Sequence, residues 1–108
     1  MSTQCYTALN GSTKLVDFSK PAWTRVEEGT RWNGNNRVSL QTGSEWNHQR
    51  LNVRRNNGGL LLIVEHWSQW QGFIPHNDEV SIEEAKEWLA KNNDDGVEGY
   101  PELSIEVD

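Results

Sequence analysis

A chain of 108 residues can wrap one hydrophobic core and is too short for two. Apolar content is only 34%, yet six of those residues are tryptophan, at positions 23, 32, 46, 67, 70 and 88; each aromatic ring buries about 150–250 Å², so a core is available without many aliphatics, and 24% charged residues is not the composition of a disordered chain. The single cysteine, Cys5, excludes an internal disulfide and a multi-cysteine zinc site, while the longest apolar run, Leu60 to Val64, falls far short of the roughly 20 residues of a membrane helix.

The start, MSTQCYTALN, has neither a basic nor an apolar leader segment, which together with the lone cysteine gives the expectation of a cytoplasmic protein with no membrane association. The net charge of −6 is unevenly spread. Residues 1–60 hold eight Lys and Arg against four Asp and Glu, whereas residues 61–108 hold two against twelve. The simplest expectation is that basic strand residues neutralise an acidic helix within the fold. Such a split also allows a binding surface of either sign.

Taken in order, Gln4 to Leu9 and Thr13 to Phe18 read as two strands around Asn10-Gly11, a hairpin-turn dipeptide. Pro21 then interrupts, since it removes a donor and biases Lys20 away from helix. Residues 22–28 are ambiguous between strand and short turn. After the turn signal Asn33-Gly34-Asn35-Asn36, Arg37 to Gln41 alternates, with Val38 and Leu40 on one face and Arg37 on the other. Asn47 to Arg54 repeats the pattern: Leu51 and Val53 share one face, and His48, Arg50, Asn52 and Arg54 the opposite one. Two strands are therefore expected to place their cations on one side of one sheet.

Asn56 to Gly59 is the next turn, and Leu60 to Val64 follows without alternation. Leu60, Leu62 and Val64 point one way, and Leu61 and Ile63 the other. Apolar residues on both faces mark a central strand covered on both sides. A helix can cover one side; Trp23, Trp32 and Trp46 are the candidates for the other. Ser81 with Glu84 three residues on forms a capping box, Glu83 and Glu84 suit the positive end of the helix dipole, and Ile82, Ala85, Trp88 and Leu89 form an apolar stripe at helical spacing. This predicts a helix over 81–92, ended by Asn92-Asn93-Asp94-Asp95-Gly96. The tail, 97–108, reads as an added edge strand or a partly ordered acidic arm. The whole is a single α+β domain: an antiparallel β-meander of four to six strands with one C-terminal helix packed on one face.

Motifs for chemistry are sparse. His48, His66 and His76 lack ligand spacings apart from His76-x-Asp78 in an expected loop, so no metal site is expected, and no cofactor motif is present. No nucleophile elbow or phosphate loop occurs, and the carboxylates of the helix read as a solvated face, so no catalytic residue is assigned. Arg37, Arg50 and Arg54 with Trp32 and Trp46 hold the ingredients of a single-stranded nucleic-acid platform, against an acidic total charge. The most unusual segment is His66-Trp67-Ser68-Gln69-Trp70-Gln71-Gly72. Trp67 is expected to close the core beneath the helix, and Trp70 is equally readable as core or as contact surface.

The segments WNGNNRVSLQTGSEWNHQ (32–49), HWSQWQG (66–72) and EEAKEWLAKN (83–92) resemble short bacterial proteins of uncharacterised function, a resemblance that implies a strand-rich domain followed by one helix and brings no site residues. The function expected is a non-catalytic binding protein acting on a partner protein, of the antitoxin, immunity or inhibitor kind. Its contact residues would be Trp67, Gln69, Trp70 and Gln71, with Glu83, Glu84, Glu87, Asp94 and Asp95 steering it toward a basic surface. Nucleic-acid binding is the alternative, and a homodimer through a strand edge or the tail stays open.

Overall fold

The computed structural model describes residues 3–108. Its eight strands are β1 (Thr3–Thr7), β2 (Thr13–Asp17), β3 (Thr24–Glu27), β4 (Thr30–Trp32), β5 (Arg37–Ser39), β6 (Asn47–Asn56), β7 (Gly59–Ser68) and β8 (His76–Glu79); one helix, α1 (Ile82–Lys91), and a short 3₁₀ turn (Pro101–Leu103) follow. Six strands form one sheet in the order β2-β1-β8-β7-β6-β3, and β4 and β5 form a separate two-stranded ribbon. All pairs are antiparallel except β1 with β8, which meet in parallel at Thr7 and Asp78. The α+β class, with one C-terminal helix on a mainly antiparallel sheet, is as the sequence implies.

The β6–β7 hairpin is the spine. Asn56 pairs with Gly59, and the intervening Asn57 and Gly58 have φ of +48° and +84°, the doubly positive corner that Asn-Gly accepts with least strain and that matches strand twist. From this turn the ladder runs unbroken to Asn47 opposite Ser68. Because β8 takes the other edge of β7, β7 is central, and its unbroken apolar run is explained by burial on both faces. Leu62 and Val64 join Leu51, Val53, Ala85, Trp88, Leu89 and Leu103 beneath the helix, while Leu61 and Ile63 join Tyr6, Ala8, Val16, Phe18 and Trp23 on the opposite side.

That second side is enclosed by curvature. Strands β2 and β3 are opposite edges of the sheet, yet only residues 18–23 connect them, and two tight turns shorten that link further. A flat sheet would hold these edges about 24 Å apart, more than a turned six-residue segment can span. The sheet therefore curls, and Phe18 and Trp23 meet edge to face at 5.1 Å inside the concavity. Of the three tryptophans expected to cover this face, only Trp23 does; Trp32 and Trp46 are exposed.

Three further expectations are corrected. The segment from Arg37 makes a strand of three residues in the separate ribbon, because after Ser39 its backbone turns: the Leu40 N–H donates to the Gly29 carbonyl and the Gly43 N–H to Ser39. Arg37 thus lies off the main sheet and shares no face with Arg50 and Arg54. The expected loop at His76 is a strand, β8, held between β7 and β1. Residues 97–108 form no edge strand; Leu103 is fully buried under α1, and the Ile105 N–H donates to the Asp95 carbonyl, so the tail is part of the core's cover.

An ion pair fastens that tail. Arg55 donates to both carboxylate oxygens of Glu102, at 2.6 and 3.0 Å, and to the Gly99 carbonyl, with its guanidinium over the Tyr100 ring. These hydrogen bonds, with the charge of Arg55, hold the Glu102 carboxyl down to about 2 from its ordinary 4.5. A depressed carboxylate contributes stability that is complete above the unfolded value and lost as pH falls through the folded one. In an acid titration followed by circular dichroism, Glu102→Gln is therefore expected to flatten the stability profile between about pH 4.5 and 2; an unchanged acid limb would show that the pair contributes nothing.

Candidate functional site

Three surface regions carry chemistry. The first lies where the β6–β7 ladder ends. Beyond Asn47 and Ser68 the two strands continue as loops stitched by short polar bonds: the Ser68 hydroxyl donates to Asn47 Oδ1 and accepts from the Trp70 N–H, the Gln69 N–H donates to the Trp46 carbonyl, and the Trp46 N–H donates to Ser44 Oγ. These bonds fix the backbones of Trp46 and Trp70, whose indoles meet edge to face with centroids 5.7 Å apart. Burial does not explain them, since Trp46 is 43% and Trp70 63% exposed. They frame a cleft of about 460 Å³ completed by Ser44, Asn47, Gln71, Gly72 and Phe73, and Ile74 beyond it is almost fully exposed.

On the concave side of the sheet lies a charged network. Buried Glu65 accepts from Arg25 at 2.6 Å, Asn52 at 2.9 Å and Arg50 at 3.4 Å; Asn52 in turn accepts from Arg25 and donates to the Ile63 carbonyl. Arg50 also donates to Glu27 and lies over the Trp67 ring at 4.8 Å, while Arg54 lies over Trp23. Burial opposes the charge on Arg50, but its bonds to Glu27 and Glu65 outweigh that, and its pKa is raised. The arginine partners among the described residues are thus Glu27, Glu65 and Glu102, not the helix carboxylates that the charge split suggested.

A groove between α1 and the β7–β8 pair is the third region, about 420 Å³ and lined in part by Gln49, His66, Asp78, Glu84, Glu87 and Trp88. Gln49 accepts from the Trp88 indole N–H, which anchors the helix to the sheet beside it. Glu84 closes the capping box with Ser81. His66 and His76 face each other across the strands with rings stacked at 4.4 Å. Burial and then the neighbouring His76 ring hold the His66 pKa below its usual range, with Asp78 pulling the other way.

The expected contact residues are therefore divided. Gln69, Trp70 and Gln71 are exposed at the tryptophan cleft, whereas Trp67 points to the concave side, half-buried under Arg50, and does not close the core beneath the helix. Glu83, Glu84 and Glu87 are exposed on α1; Asp94 and Asp95 lie past its far end, Asp94 tied to the Asn92 amide. The nucleic-acid ingredients do not assemble: Arg37 and Trp32 sit on the separate ribbon, Trp46 at the cleft, Arg50 in the Glu65 network and Arg54 on Trp23. Sequence reasoning missed the role of Trp46 beside Trp70 and the meeting of His66, His76 and Asp78. Only the strand register reveals either.

Comparison with protein-family models, curated proteins and solved structures finds no match for this chain. Among the described residues, no helix is long and apolar enough to cross a membrane. A functional reading therefore rests on the chain's own geometry.

Proposed function

We propose that this is a non-catalytic binding protein of the cytoplasm that occupies a partner protein through the Trp46–Trp70 cleft, in a role of the antitoxin, immunity or inhibitor kind. The observation that carries the reading is a pair of indoles held edge to face by fixed backbones yet left in solvent. Tryptophan combines large apolar area with a donor and is enriched at the centres of protein interfaces. Ser44, Asn47 and Gln71 around it supply the polar rim that fixes orientation. A preformed surface avoids part of the ordering cost of association.

The test is comparative capture from a native-host lysate with mass spectrometry. Wild type is expected to enrich a stoichiometric protein partner that Trp46→Ala/Trp70→Ala loses and that Trp32→Ala, a change at a ring elsewhere about as exposed as Trp70 (61%), retains. A partner kept by the double variant would place the interface elsewhere.

The carboxylates of α1 are assigned the steering role. With a basic partner, Glu83→Gln/Glu84→Gln/Glu87→Gln is expected to slow association about tenfold at low salt and to weaken its salt dependence, with dissociation little changed. Glutamine at position 84 still completes a capping box, so the helix persists. Stopped-flow association across a salt series reads this directly, and an unchanged salt slope would remove the helix from the mechanism.

A further inference from the structure

We propose that His66, His76 and Asp78 form a binding site for a divalent transition-metal ion, with zinc(II) as the reference cation. The site goes beyond the tryptophan cleft and does not depend on it. His66 and His76 are a cross-strand pair, and Asp78 is two residues along β8 on the same face. The strand register thus delivers two imidazoles and a carboxylate to one spot. Their donor atoms all lie within 4.8 Å of one another.

The two carboxylate–imidazole distances fit a cation better than they fit hydrogen bonds. Asp78 Oδ2 is 3.4 Å from His66 Nε2 and 3.5 Å from His76 Nε2, both long for a hydrogen bond. Metal–nitrogen and metal–oxygen bonds of about 2.0–2.2 Å at tetrahedral angles set neighbouring donors about 3.3–3.6 Å apart. The protonation pattern agrees. His76 Nδ1 is 3.1 Å from the Ile74 carbonyl, which can only accept, so in the neutral ring the proton sits on Nδ1 and a bare lone pair on Nε2 faces the Asp78 oxygen. A backbone carbonyl on the remote nitrogen is the usual orienting contact of a ligating histidine. A lone pair facing a carboxylate is stabilised by a cation between them.

Two near-parallel rings, 12° apart, must splay slightly to direct both lone pairs at one ion. The torsion that does this is soft in histidine, and His76 is on the exposed side. Imidazole nitrogens select zinc, copper, nickel or iron over magnesium and calcium. Three protein donors leave a coordination position open, and His66 and Asp78 both line the groove beside Glu84 and Glu87, where water or a partner's side chain completes the shell. Because Phe73 stacks on His76, the ion would also brace the segment that carries Trp70.

Isothermal titration of chelator-stripped, tag-free protein with zinc(II), and visible absorption with cobalt(II), test this. One ion per chain is expected, with affinity at least about 100-fold weaker in His76→Gln and in Asp78→Asn, since loss of a direct ligand should cost at least as much as loss of an orienting partner. Both positions are partly exposed, and circular dichroism verifies that each variant is folded. Cys5→Ser, which removes the one cysteine sulfur, is expected to bind as wild type. The proposal is overturned if neither ion binds, if His76→Gln and Asp78→Asn bind like wild type, or if Cys5→Ser abolishes binding.

Discussion

Replacing Glu65 with alanine is expected to destabilise the fold by about 2–4 kcal/mol, more than any other single charge removal in this chain. Breaking a buried ion pair by deleting one partner costs about 3–5 kcal/mol because the remaining charge is stranded. Here Arg25 and Arg50 keep side-chain exposures of 36% and 23%, so water recovers part of that loss. Asn52 is fully buried; its amide oxygen still accepts from Arg25, but its amide nitrogen keeps only the bond to the Ile63 carbonyl, which leaves one amide hydrogen unsatisfied. Glu65→Gln separates charge from shape: its amide oxygen still accepts from Asn52 and Arg25, and a smaller cost of about 1–2 kcal/mol is expected. Urea unfolding read by tryptophan fluorescence measures both, at constant slope. An alanine variant within about 0.5 kcal/mol of wild type would mean that the network orders arginines without stabilising the sheet.

The network illustrates what one-dimensional reading can reach. Alternation placed Arg50, Asn52 and Arg54 opposite Leu51 and Val53, and assigned Leu61 and Ile63 to the face away from Leu62 and Val64; the structure has each on that side. Asn57-Gly58 and the Ser81/Glu84 box are equally local, because their stability is written in adjacent residues. Sheet membership is different. A period of two says which residues share a face, not which strands share a sheet, so nothing in Arg37-Val38-Ser39 showed that it pairs only with Thr30–Trp32. His-Asn-Asp-Glu, with no apolar residue, is a strand because β7 and β1 supply hydrogen bonds on both edges, a tertiary cause that overrides its poor propensity.

The candidate sites were less legible for the same reason. Glu65 was visible only as one of many acids, and its partner Arg25 lay in a segment with ambiguous structure. Arg25 reaches Glu65 across the β6 strand between them, a relation set by sheet order. His66 and His76 are ten residues apart, and their pairing depends on the register of the β7–β8 ladder. The tryptophan pair joins residues 46 and 70 through the far end of a ten-residue hairpin ladder. A turn at one end fixed a contact at the other.

That geometry makes the Trp46–Trp70 pair the place where a double-mutant cycle is most informative. Each single alanine substitution is expected to weaken partner binding by about 2 kcal/mol or more, close to 30-fold, as for central aromatic anchors. Folding stability should move by about 0.5 kcal/mol or less at Trp70, which is 63% exposed, and by about 1 kcal/mol at Trp46, which is 43% exposed. If the rings act as one preorganised surface, removing the first releases the second from its edge-to-face contact, and the two losses should overlap by about 0.5–1.5 kcal/mol. Strictly additive losses would mean two independent contacts. Full loss at Trp70 with none at Trp46 would reduce Trp46 to a support. Titration of the purified partner with the four proteins of the cycle distinguishes these cases, and it also separates the cleft from the acidic helix: charge steering acts mainly on association, whereas a lost aromatic anchor acts on dissociation.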